Sequence, residues 1–209
     1  MFRILSIVSI AASLIWLFSF WSKNSFSFSG KTNNYFSSLK KSFFEFKLLK
    51  SQNISSNFNW AKKFFYLATT FLFLLMFLSA FLNVIFLGDD LTGLFLLIHV
   101  TVAPLFSVFL AILVILFAHS NRFSENDFNN LTENKRIRHN RSGYIKITFW
   151  LITLFSIPAM TSIILSMFPL FGTNGQHILL DIHRYSTLII FVLVILHTGL
   201  SSIRSNSNK

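Results

Sequence analysis

Residues 91–118, LTGLFLLIHVTVAPLFSVFLAILVILFA, decide how the rest of the chain is read: across the whole run His99 is the only side chain able to carry a charge near neutral pH. A bilayer core takes about 20 apolar residues of helix. Inside hydrocarbon a backbone must also close its hydrogen bonds within itself. The stretch therefore predicts a transmembrane helix. Working outward, residues 64–88 (FFYLATTFLFLLMFLSAFLNVIFLG) and 147–172 (ITFWLITLFSIPAMTSIILSMFPLFG) carry no charge, and 185–203 (YSTLIIFVLVILHTGLSSI) carries only His197. These are four spans of the same kind. Residues 4–21 form a fifth uncharged run after Arg3. That combination resembles a signal peptide, but the run ends in Phe20-Trp21-Ser22-Lys23 without a small-residue cleavage site. It is read as a retained N-terminal helix, with a cleaved signal as the alternative.

Composition agrees. The chain is 53% hydrophobic and 12% charged, against about 25% charged in soluble domains, and its mean hydropathy is +0.62. A soluble globular protein is excluded on these figures. With no cysteine among 209 residues, disulfides, thiolate metal sites, iron–sulfur clusters and covalently attached c-type haem are excluded on this chain. The net charge of +11 is not a nucleic-acid signature, because the basic residues avoid the apolar runs and gather between them. Residues 23–63 hold eight Lys and one Glu, and 120–146 hold six Lys or Arg against three acids. The 88–91 turn has Asp89 and Asp90 with no base, and the 173–183 segment has only Asp181. Basic loops stay inside, so 23–63, 120–146 and the tail carrying Arg204 and Lys209 lie inside and the two short turns outside. The four spans satisfy every loop.

The expected architecture is an all-α membrane protein: a four-helix transmembrane bundle plus one N-terminal hydrophobic helix, multi-pass in an inner (cytoplasmic) membrane. Its parts are the N-terminal helix 1–22, a basic segment 23–63, the membrane domain 64–203 and a tail 204–209. Within the basic segment, Phe43, Phe44, Phe46, Leu48 and Leu49 with Lys40, Lys41, Lys47 and Lys50 fit either a short amphipathic surface helix or a partly ordered loop.

Ionisable residues inside a membrane are costly and point to function. His183 and His197 are 14 residues apart, roughly 21 Å along a helix axis and within about 40° of one direction. Two imidazoles thus leave one helix face, one near each membrane surface, as two stacked porphyrins across a bilayer require. His99 lies at a depth close to that of His183, so a bis-histidine b-type haem between them is expected. After His99, Ala103, Ser107 and Ala111 recur every four residues; such a strip admits a flat ring or, equally, a packed helix. The inner end is less complete. His119 falls about 30 Å below His99 and about 200° around the helix, a position suited to an interfacial histidine, and His139 sits among Arg136, Arg138 and Arg141. Either His119 serves an inner haem from a tilted helix, or a partner subunit helps, or no inner haem exists. Arg184, beside His183, could pair with a haem propionate or simply sit at the interface. His177 reads as an outer-surface residue.

Leu91-Thr92-Gly93 with Leu97-Ile98-His99, Pro169-Leu170-Phe171-Gly172, and Asp181-Ile182-His183-Arg184-Tyr185 through Leu196-His197-Thr198 together resemble the membrane cytochrome b subunits of respiratory complexes. The relatives meant are the gamma subunit of formate dehydrogenase and the b subunits of nickel–iron hydrogenase and thiosulfate reductase. The resemblance covers about residues 60–203. It implies that His99 and His183 ligate an outer haem b and that His197 supplies one face of an inner one, so that one haem or two are bound. It also implies a quinone site near the inner surface around His119, Asn121 and Arg122. That family takes its remaining inner ligand from the first of the four spans, whereas 64–88 and its flank Asn57-Phe58-Asn59-Trp60 contain no histidine. The implied function is electron relay between the quinone pool and a redox partner on the outer face, a multihaem cytochrome c or an iron–sulfur/molybdenum subunit. No nucleophile–base–acid constellation is present, so no catalytic residue is assigned. The alternatives are a haem-free membrane anchor or assembly subunit, and a histidine-relay transporter, against which the scarcity of acids in the spans speaks.

Overall fold

The computed structural model describes residues 2–23, 54–83, 91–125, 127, 141–168 and 170–202. The surface helix considered for residues 40–50, and His139, lie outside them. Among the described residues there are five helices and no strand: α1 (Phe2–Lys23), α2 (Ile54–Leu82), α3 (Gly93–Ala118), α4 (Arg141–Ser166) and α5 (Gly172–Ser202). All five are long and apolar enough to cross a membrane, and the protein is a multi-pass, all-α membrane protein with the four-plus-one arrangement.

Local chemistry favours these helices. Hydroxyls within them donate to the carbonyl one turn back, as Ser13 does to Ser9, Thr70 to Tyr66, Ser107 to Ala103 and Thr161 to Ile157. A serine or threonine therefore brings no unmet donor into the hydrocarbon. Two helices, α3 and α5, start at a glycine in the left-handed region, Gly93 at φ 60° and Gly172 at φ 61°. A side chain there would cost roughly 1–2 kcal/mol.

Two helix boundaries differ from the sequence reading. α2 begins at Ile54, inside the basic segment, because residues 54–63 contain no proline or glycine to stop it. α5 begins at Gly172, so 173–183 is helix where a turn was expected; after the Gly172 turn only Gly175 is a weak helix former, and Gln176-His177-Ile178-Leu179-Leu180 carries the helix on. His183 consequently sits well within α5 rather than at its start.

The packing is pairwise. α2 and α3 form one antiparallel hairpin, α4 and α5 form another, and α1 lies along α5. α1 runs parallel to α5, since Phe2 meets Tyr185 edge to face at 5.5 Å while Trp16 approaches Gly199. α1 therefore has the direction that an alternation of five spans along the chain requires. The hairpins are joined at mid-membrane by aromatic rings: Phe77 of α2 stacks on Phe191 of α5 at 4.2 Å and 6° between planes, and Phe81, stacked on Phe77 within α2, lies 5.9 Å from the same Phe191 ring. Phe81 and Phe191 are buried. The α2 face that turns inward is Thr69, Leu72, Ser79 and Asn83, all buried at helical spacing. α3 presents the opposite case: Leu94, Leu97, Leu105, Val108 and Ile115 form an exposed stripe, suited to lipid.

Candidate functional site

His99 and His183 meet toward the end of the bundle where α3 and α5 begin, the outer end on the loop-charge reading. The two imidazoles, one from α3 and one from α5, have centroids 6.3 Å apart and planes at 88°. Each ring is anchored by its Nδ1. His183 Nδ1 lies 2.7 Å from the carbonyl oxygen of Ala159 on α4, which can only accept, so Nδ1 carries the proton. Ala159 is itself buried, and its small side chain lets α5 come close enough for this contact. His99 Nδ1 lies 3.2 Å from Ser79 Oγ on α2. The Ser79 hydroxyl already donates to the Met76 carbonyl at 2.9 Å, so it accepts from His99, whose Nδ1 also carries its proton. In both rings Nε2 keeps its lone pair. A ring nitrogen held by a carbonyl or hydroxyl, with the other free to bind, is how proteins orient metal-ligating histidines.

His197 is prepared in the same way on the inner side. Its Nδ1 is 2.9 Å from Thr148 Oγ1 on α4, and the Thr148 hydroxyl donates within α4, to the Ile145 carbonyl at 2.9 Å. Nδ1 is again the donor and Nε2 the bare nitrogen. No second imidazole meets it among the described residues.

His119 is placed elsewhere. With Ala118, Arg122, Phe123 and Trp150 it lines an open hollow of about 680 Å³ at the inner end of α3. Trp150 follows Thr148 by two residues and so leaves α4 about 200° around from it; the hollow and His197 lie off different faces of that helix. The Trp150 indole donates to the Asn121 carbonyl at 2.9 Å. Nearby, Lys146 Nζ is 2.6 Å from Asp127 Oδ2, which also accepts from the Ser124 amide at 2.8 Å and the Ser124 hydroxyl at 2.7 Å. The Lys146 hydrogen bond, reinforced by Ser124, holds the Asp127 carboxyl down at about 2. This clasp ties the segment after α3 to the start of α4.

Arg184 points to the N-terminal helix. Its guanidinium lies 6.0 Å from the Phe2 ring centre and 3.8 Å from the Asp181 carboxylate. His177 is exposed. Of the small-residue strip on α3, Ala103 and Ser107 are half-buried and Ala111 is exposed, so the strip drifts off the packed face.

Two imidazoles do not complete the shell of a bare ion; zinc takes four donors. Among the described residues there is no group of three or more His, Cys, Asp or Glu. Two histidines instead suit a metal already carrying four other donors, as porphyrin iron does. With metal–nitrogen bonds of about 2 Å, imidazoles on opposite sides of one metal have centres roughly 6 Å apart, close to the observed separation. His99 and His183 therefore fit haem. Sequence reasoning had found the three histidines but not Ser79, Ala159 and Thr148, which orient them; the one sequence signal was helix register, because antiparallel neighbours level with the histidines must present these positions. Comparison with known proteins finds no matching family model, no similar curated protein and no similar solved structure.

Proposed function

We propose that this chain is a b-type haem membrane subunit of the cytochrome b kind, relaying electrons between the quinone pool and a redox partner on the outer face of an inner membrane. One observation carries the reading: the His99 and His183 rings lie 6.3 Å apart between centroids, each with its Nδ1 engaged by another helix. A haem held there supplies one-electron redox chemistry, which the protein tunes through its axial ligands and their hydrogen bonds.

The chain's own residues do the rest. Ser79 and Ala159 fix the two ring orientations from opposite hairpins, so α2, α3, α4 and α5 all contribute to one site. Phe77, Phe81 and Phe191 fill the middle of the bundle and keep water from crossing it. Arg184, against Phe2 and Asp181, helps seat α1 beside the outer site. The inner hollow by His119 and Arg122 is where a quinone would exchange electrons. In this reading the chain acts as a subunit of a larger oxidoreductase, whose partner carries the bond chemistry.

The test is a reduced-minus-oxidised spectrum of the purified chain with haem counted per polypeptide. A b-type α-band that disappears in both His99→Ala and His183→Ala supports the reading. Protein that folds and carries no haem would instead be the anchor subunit of a complex.

A further inference from the structure

α4 carries one arrangement twice, once for each histidine of α5. The Thr148 hydroxyl donates to the Ile145 carbonyl at 2.9 Å, and the Ser162 hydroxyl to the Ala159 carbonyl at 3.2 Å, each three residues back. From Ile145 to Ala159, and from Thr148 to Ser162, is a step of 14 residues, the same as from His183 to His197. Ser79 repeats the device on α2, donating to Met76 at 2.9 Å beside His99. The bond to the imidazole is not the same in all three. His99 and His197 place Nδ1 against the hydroxyl. His183 places it against the carbonyl oxygen itself, at 2.7 Å. The Ala159 oxygen is therefore oversubscribed. It takes the His183 Nδ1 proton and the Ser162 hydroxyl, and the α-helical pattern directs the Ile163 amide at it as well, whereas a carbonyl has two lone pairs. Ser162 is 3% exposed and Ala159 4%, so water does not relieve the crowding.

We propose that Ser162 is a positioning residue for the outer haem, raising its potential by loosening the hold of the Ala159 carbonyl on His183. The proposal rests on the haem reading above. A histidine whose Nδ1 proton goes to a strong acceptor is a more basic ligand, and hydrogen bonds to the ligands are among the levers that set a haem potential. A second donor on the same oxygen draws electron density away from that bond. Without the Ser162 hydroxyl the oxygen serves His183 more fully, His183 gives more density to the iron, and the ferric state is favoured. Ser162 thus acts only through Ala159 and His183, and it makes the two ligands adjustable from different helices: His99 through Ser79 on α2, His183 through Ser162 on α4.

The experiment titrates the α-band of the full chain in detergent against applied potential. Ser162→Ala should keep its haem and move the ferric-to-ferrous ratio at the wild-type midpoint about threefold toward ferric, a fraction of one neutral hydrogen bond. Ser162→Thr should return the midpoint to the wild-type value. Ser156→Ala removes another buried serine of α4, one that donates to the Ile152 carbonyl at 2.7 Å, and should leave the midpoint where it was. A second readout needs no haem. In the apo-protein with isotope-labelled histidine, the His183 Nδ1 proton, assigned by its loss in His183→Ala, should move downfield in Ser162→Ala as its hydrogen bond strengthens. An unmoved or raised midpoint in Ser162→Ala would overturn the proposal, as would loss of haem from that variant, an equal shift in Ser156→Ala, or a proton that does not respond. A folded wild-type chain with no α-band would instead overturn the haem reading, and the proton resonance would still decide whether Ser162 weakens the His183 bond.

Discussion

The outer and inner ends of the bundle receive the same residue type and treat it differently. At the outer end two hairpins converge: α3 and α5 bring the imidazoles, while α2 and α4 hold them through Ser79 and Ala159. At the inner end only α4 supports His197, through Thr148, and the α2–α3 hairpin offers packed phenylalanines instead. What joins the hairpins there is a polar clasp at the membrane surface, Lys146 with Asp127 and Trp150 with Asn121. A histidine in a membrane span is thus not informative alone; what the facing helix presents at its level decides whether it can form a pair.

The comparison breaks most sharply at the outer pair. Replacing His183 with alanine is expected to remove the outer b-type signal entirely, and replacing His99 to do the same, while His197→Ala leaves it in place. Reduced-minus-oxidised spectra of the three variants check this. An outer signal that survived loss of either histidine would sink the paired-ligand reading.

The clasp comes next. The pair lies at the surface end of α4, with Lys146 half-buried, so Asp127→Asn leaves an ammonium at the membrane surface without its counter-charge. The expected loss is about 1 kcal/mol, read as a lower melting temperature in detergent. The pH dependence follows from the depressed carboxyl. Its contribution is fully present above the unfolded value near 3.8 and is lost as pH falls through the folded value of about 2. Melting temperature should therefore not respond to Asp127 between pH 8 and pH 5, and the difference between wild type and Asp127→Asn should shrink only below about pH 4. A difference that shrank near neutral pH would show that another group holds Lys146.

Ser79→Ala tests the support of the outer pair without touching a ligand. Residues that orient a metal-bound histidine contribute about 10- to 100-fold in affinity; here the lower end is expected, because Ala159 still fixes His183. Haem titration of the apo-protein measures it. Ser79→Thr should recover most of the loss, whereas Thr148→Val should leave the outer site unaffected.

Much of this fold was legible in the sequence. Uncharged runs give the spans, and the 14-residue step from His183 to His197 places both on one face. The level of His99 could be read from its distance to the outer turn. What stayed hidden depends on contacts between helices. Ser79, Thr148 and Ala159 look like ordinary small residues until the antiparallel register puts them beside an imidazole. The continuation of α5 through 173–183 was masked by the glycines and by Asp181, which read as a loop, although only the single turn at Gly172 needs a glycine. That His119 shares a hollow with Trp150, off a different face of α4 from Thr148 and His197, became visible only with the helices in place.

The smallest effect expected concerns α1, and it bears on the inner end alone. Gly199 lies two residues beyond His197, and a Cβ built there would stand 2.8 Å from Cζ3 of Trp16 and 3.4 Å from Leu17 Cδ1. The indole atom is the far end of a side chain that can swing, so Gly199→Ala should change stability little. Gly199→Leu fills the space that Trp16 occupies and should cost about 1–3 kcal/mol through overpacking, with α1 shifted off the inner half of α5. At the outer end α1 stays seated by Phe2 against Tyr185, so the outer α-band should be unchanged. A cysteine pair placed at Trp16 and Gly199, chosen because wild type has no cysteine, would report the contact directly by oxidative cross-linking. Failure to cross-link there, alongside an intact cross-link between residues 2 and 185, would mean that α1 leans away from the inner half of α5 and that the two ends differ in helix packing as well as in ligands.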